Sequence, residues 1–131
     1  MKPGLDLGYK ETMEIVVSDQ MIASFDGEVI HPVLSTVSMV YYMEWVGRKV
    51  ILPFLEEWEE GVGASINVRH IAPAPVGKKV IFTAEVTLIK PERVACRVRA
   101  EHTQSIVGEG EFVQAILSKE RIQKHIENMR R

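Results

Sequence analysis

The chain has 131 residues, is 46% hydrophobic and 26% charged, and carries a formal net charge of −2. That length suits one domain, residues 1–131, and the apolar fraction argues against intrinsic disorder. Sixteen Lys and Arg against eighteen Asp and Glu argue against a nucleic-acid-binding surface over the whole molecule, and the one cysteine, Cys96, cannot staple the fold.

Met1 to Gly8 lacks the apolar core of a signal peptide. The longest apolar stretch, Val37 to Leu55, is interrupted by Glu44, Arg48 and Lys49 and is not expected to enter a membrane. A reducing cytoplasm is the expected location. The four histidines and Cys96 stand at no recognisable zinc-ligand spacing, so no metal is expected.

Tyr9 to Val17, rich in Thr, Ile and Val, predicts a first strand. Ser18 to Phe25 reads as a short helix, because Met21, Ile22 and Phe25 recur at helical spacing behind a capping serine. Asp26-Gly27 marks a turn, and His31-Pro32 stands in a loop before the longest helical segment. That helix starts at a cap on Ser35 or Thr36 and runs through Leu52 to the break at Pro53. Almost every position from Val37 to Val46 is apolar, which predicts a helix buried on all sides.

Four period-two segments follow Gly61-Val62-Gly63. In the first, Ala64, Ile66, Val68, His70 and Ala72 share one parity; in the second, Val80, Phe82, Ala84, Val86 and Leu88 do. The third sets Val94, Cys96, Val98 and Ala100 against Arg97, Arg99 and Glu101, and the fourth runs from Ile106 to Leu117. The connectors Lys90–Arg93 and His102–Ser105 have hairpin length and imply antiparallel neighbours. The order predicts an α+β fold in which one curved antiparallel sheet of about five strands wraps one central helix. Ser118 to Arg131 reads as a terminal amphipathic helix docked by Ile122, Ile126 and Met129, with five Lys or Arg against two Glu on the rest of it.

Three residues break their surroundings. Glu44 is a lone charge in Met39-Val40-Tyr41-Tyr42-Met43-Glu44-Trp45-Val46. A carboxylate among apolar neighbours must be paired, protonated or placed in a wet cavity. It is either a partner for Arg48 one turn on or an acid–base group. His70 shares the parity of Ile66 and Val68 and is expected to face the helix, while Arg69 points the other way. It is a satisfied core residue, or a catalytic imidazole if a carboxylate such as Glu44 reaches it. Thr36, at the helix start, is an N-cap or a hydroxyl placed beside backbone N–H groups able to hold an oxyanion. In a straight helix Thr36 and Glu44 lie about 12 Å apart along the axis, so a shared site needs a bridge, a kink or a second subunit. His31, His102 and His125 are expected in solvent.

Thr36 and Glu44 eight residues apart, then Gly63 and Val68-x-His70-x-Ala72-x-x-Pro75-x-Gly77, resemble the fluoroacetyl-CoA-thioesterase-like branch of hot-dog-fold proteins over about Gly4 to Leu117. The resemblance implies a hot-dog fold, a homodimer or higher homo-oligomer with its site at the subunit interface, and hydrolysis of an acyl-CoA thioester without a cofactor. It also implies that Thr36, Glu44 and His70 form the catalytic set, with Gly63 and Arg69 beside the substrate. Glu44 would be base or nucleophile toward the carbonyl, His70 would protonate the leaving thiolate or orient water, and Thr36 would place the carbonyl or water. Arg69, Lys78, Lys79, Arg97 and Arg99 are cations available to the CoA phosphates. After Gly108-x-Gly110 the family often carries Thr-His-x-Arg, where this chain has Glu111-Phe112-Val113-Gln114. A non-catalytic acyl-CoA or acyl-group binding protein on the same scaffold is the alternative that this departure supports.

Overall fold

A computed structural model describes residues 1–131. Strand β1 spans Lys10–Val16, and β2 (Ile22–Phe25) and β3 (Glu28–Leu34) form a separate two-stranded ribbon. Helix α1 (Thr36–Ile51) follows, then β4 (Glu59–His70), β5 (Lys79–Lys90), β6 (Arg93–His102), β7 (Ser105–Ser118) and helix α2 (Lys119–Met129). The five-stranded sheet has the order β1-β5-β6-β7-β4 and is antiparallel at every junction, which leaves β1 and β4 as its edges.

Ser18 to Phe25 is not a helix. Only Asp19–Met21 turns, as a single 3-10 turn, and Ile22 to Phe25 pair with β3. Asp26 and Gly27 both adopt positive φ (53° and 79°), the backbone of a tight hairpin turn whose twist matches the flanking strands. That turn commits both flanks to strands, so His31 lies in β3 and not in a loop.

Helix α1 starts where Ser35 accepts a hydrogen bond from Ser38 N–H at 3.0 Å, and gives way to a 3-10 turn at Pro53. Met39, Met43, Val46 and Val50 recur at three- and four-residue spacing and are sealed against the sheet, chiefly β5, β6 and β1. Phe82, Ala84, Val86, Val94, Cys96, Val98 and Ala100 meet them from the sheet. The expectation of burial on all sides fails on the opposite stripe, where Val37, Tyr41 and Trp45 are 74%, 58% and 46% exposed. The sheet has one concave face and covers only one side of the helix.

Two bulges shift the inward parity. The extra residue Ala64 in β4 moves the inward set from Gly61 and Gly63 to Ile66, Val68 and His70. The irregularity between Val86 and Leu88 in β5 turns Leu88 outward. Gly108 and Gly110 are needed because β4 crosses β7 closely: a Cβ on Gly110 would stand 2.6 Å from Val68 Cα, and one on Gly108 would stand 2.8 Å from Arg69 O. Helix α2 is capped by Ser118 and held by Arg121 on Glu92 and by the Lys119 N–H on Trp58 O, but of its apolar stripe only Ile122 is half-buried, while Ile126 and Met129 are exposed. No helix is long and apolar enough to cross a membrane.

Candidate active site

The cap assignment decides what Thr36 is free to do. Ser35 serves the helix end, so the Thr36 hydroxyl turns instead to β4 and lies 2.8 Å from His70 Nδ1. His70 reaches it because the Ala64 bulge keeps this end of β4 facing the helix, where His70 pairs with Gly108 and no side chain stands between. Burial pushes the His70 pKa below the usual histidine value, partly opposed by a hydrogen bond with the Ala72 backbone. The imidazole is therefore mainly neutral near pH 7 and offers one N–H and one lone pair. A neutral imidazole, a hydroxyl and the unbonded N–H groups of a helix start can together hold a carbonyl oxygen as it gains charge.

Glu44 lies two turns further along α1, on the stripe the sheet leaves open. Its side chain is exposed rather than wedged among apolar neighbours, and it makes no hydrogen bond or ion pair within the chain. Arg48 is taken by another acid. Its Nη1 and Nη2 donate to Glu60 Oε2 and Oε1 at 3.0 and 3.2 Å, and these bonds hold the Glu60 carboxyl below the usual range against the opposing effect of burial. The expected Glu44–Arg48 pair is thus absent because β4 supplies Glu60 in a fork geometry that a helix neighbour cannot match. Glu44 does not reach His70 either: each stands at a different end of the open stripe.

Glu44 instead lines a groove of about 600 Å³ with Val37, Val40, Tyr41, Trp45 and Arg48 on the helix side and Gly61, Gly63, Phe112 and Gln114 on the sheet side. Gly63 lies between Glu44 and Phe112: a Cβ there would be in ordinary contact, 3.7 Å from Glu44 Oε2 and 3.6 Å from the Phe112 ring, and would occupy part of the groove. Phe112 packs under α1 at Gly47, and Gln114 donates its Nε2 hydrogen to Gly47 O at 2.9 Å. Period-two parity already places Phe112, Gln114 and Ile116 on one face, so a polar Gln114 among apolar neighbours was the available signal for this part of the groove. Arg69 projects from the opposite face of the sheet, mostly exposed, 3.7 Å from Glu109, which Arg99 also approaches at 3.8 Å.

The profile of the fluoroacetyl-CoA-specific thioesterases (FlK) matches residues 17–120. The fluoroacetyl-CoA thioesterase of Streptantibioticus cattleyicolor is 30% identical over 127 residues, which is 92% of this chain and 91% of that protein. The chain belongs to this family. A Thermus thermophilus member of the thioesterase superfamily is 36% identical, with a TM-score of 0.93 over 98% of this chain and 95% of that one. A crystal structure of a single-residue mutant of FlK is 28% identical, with a TM-score of 0.89 over 98% of this chain and 99% of its own. The family fold is the hot-dog fold, and the five-stranded antiparallel sheet around α1 is its form here.

Proposed function

We propose that this chain hydrolyses the thioester of a small acyl-CoA, with Thr36, Glu44 and His70 as its catalytic set. The Thr36–His70 contact of 2.8 Å at the start of α1 is the observation that carries this reading. Membership of a thioesterase family and the unpaired, exposed Glu44 on the wall of the groove support it. A thioester lacks most of the resonance that protects an amide, so a carboxylate and a few hydrogen-bond donors suffice without a metal. Glu44 acts on the carbonyl carbon through a water whose proton it takes, or directly, as a nucleophile that forms an anhydride which water then hydrolyses. Thr36 and the N–H groups at the start of α1 receive the carbonyl oxygen as it becomes an oxyanion. The C–S bond then breaks, and the CoA thiolate takes a proton from a water that the neutral His70 orients; the hydroxide left is neutralised by the proton Glu44 took or, on the direct route, opens the anhydride. Gly63 leaves space for the acyl group beneath Glu44, and Arg69, on the opposite face of the sheet, is a cation that only the outer end of CoA could reach.

One helix cannot bring Thr36 and Glu44 to the same carbonyl, since they stand about 12 Å apart along its axis. We therefore infer that the working form is a homodimer in which Glu44 of one copy meets Thr36 and His70 of the other. The free edge of β4 and the exposed stripe of Val37, Tyr41 and Trp45 beside it favour this arrangement. Thiol release from short acyl-CoAs tests the assignment. Glu44→Gln should lower kcat/KM by at least about tenfold, equivalent to about 1.4 kcal/mol of barrier. Turnover unchanged in Glu44→Gln would remove the carboxylate from the mechanism, and acyl-CoA binding with no thiol released over hours would favour a binding protein.

A further inference from the structure

The floor of the groove holds a polar atom that hydrolysis does not use. Gln114 is 2% exposed and lies between Phe112 and Ile116 on the inward face of β7. Its orientation is set by chemistry: Gly47 O can only accept, so the amide nitrogen must point to it and Oε1 must point away. Every fully buried side-chain nitrogen and oxygen has a partner, and Gln114 Oε1 has none. This atom is therefore open to the groove that Gln114 lines. Gly61 leaves it uncovered, since a Cβ there would stand 3.4 Å from Oε1.

Glu44 Oε2 lies over Gly63 and Gln114 Oε1 lies over Gly61, two residues away along β4. Two residues of strand span about 7 Å. An acyl group whose carbonyl carbon meets Glu44 would thus bring its second or third carbon beside Oε1. We propose that Gln114 is a specificity residue whose Oε1 accepts a hydrogen bond from a hydroxyl on carbon 2 or 3 of the acyl chain, so that the preferred substrates are short hydroxyacyl-CoAs. The proposal rests on the thioesterase reading of this groove. A purely alkyl chain would displace water from Oε1 and leave a buried acceptor unpaired, which is the physical source of the discrimination.

The test is thiol release from matched pairs: 3-hydroxybutyryl-CoA against butyryl-CoA, and 2-hydroxybutyryl-CoA against butyryl-CoA. One hydroxyl substrate should exceed its alkyl partner by about tenfold in kcat/KM. Gln114→Met keeps the side-chain length, removes the acceptor and should bring that ratio below about threefold, the alkyl substrate gaining as the hydroxyl substrate loses. Gln114→Arg, which keeps an N–H donor for Gly47 O and offers no acceptor, should lower the ratio in the same way and serves if Gln114→Met does not fold. Hydrolysis of the alkyl and hydroxyl substrates at equal rates, or a preference that survives Gln114→Met or Gln114→Arg, overturns the role of Gln114 and leaves the thioesterase reading standing. Release of no thiol from any of these acyl-CoAs overturns both.

Discussion

Gly47 sits in the middle of α1 with its Cα over the Phe112 ring, and replacing it by alanine sets two effects of opposite sign against each other. In an exposed helix the change would stabilise by about 1 kcal/mol through backbone entropy. Here the new methyl would stand 2.9 Å from Phe112 Cε2 and closer still to Cδ2. Phe112 is 3% exposed and its ring is rigid, so the contact cannot be relieved by a rotamer change at a flexible tip. Overpacking of this kind costs about 1–3 kcal/mol beyond any propensity gain, so Gly47→Ala should destabilise by about 1 kcal/mol or more. Urea unfolding followed by tryptophan fluorescence reads this as a lower midpoint with an unchanged slope. Phe112→Leu alone should destabilise by leaving a void, whereas combined with Gly47→Ala it should cost less than the two separate losses, with a coupling of about 1 kcal/mol. A Gly47→Ala protein more stable than the wild type by about 1 kcal/mol would refute the packing of α1 on β7 that sets the depth of the groove.

Burial places the His70 pKa below the usual value of 6.5, so its ring proton resonances, followed by NMR, should titrate with a midpoint below 6.5. A group with a depressed pKa contributes full stability above 6.5 and loses it as pH falls through the folded value, so acid should weaken the fold more in the wild type than in His70→Gln. A midpoint above 6.5 would contradict the partly buried environment of the imidazole. Glu60→Gln removes the charged half of the fork on Arg48 and frees the guanidinium for Glu44 one turn away. It should lower kcat/KM by roughly threefold to tenfold while changing stability by less than about 1 kcal/mol, as measured by thiol release and urea unfolding.

Much of the fold was legible because the hydrophobic period changes cleanly along the chain. The sequence places α1 from Thr36 to the break at Pro53, and the hairpins at Pro91-Glu92 and Thr103-Gln104 follow from connector length. The ribbon of β2 and β3 was hidden because Met21, Ile22 and Phe25 also fit a helical period, and tertiary pairing across Asp26-Gly27 decides between the two. The start of β4 at Glu59 was hidden by Gly61 and Gly63, which read as turn residues but clear space over Ile51 and Glu44. The Thr36–His70 contact was legible in part: the inward parity of His70 held, and Ser35 took the cap. The surroundings of Glu44 were not, because the acid that captures Arg48 comes from a strand twelve residues on, a distance no helical pattern reports.

A mixing experiment tests the proposed two-copy site most directly. Thr36→Ala and Glu44→Gln proteins, each expected to lose at least about tenfold in activity alone, are unfolded together, refolded at equal amounts and assayed for thiol release. In a two-fold dimer whose sites take Glu44 from one copy and Thr36 with His70 from the other, each mixed dimer carries one intact site, so the mixture should recover about a quarter of wild-type activity. Activity no greater than the sum of the two variants, with mixed dimers demonstrated by mass spectrometry, would contradict a catalytic set divided between copies.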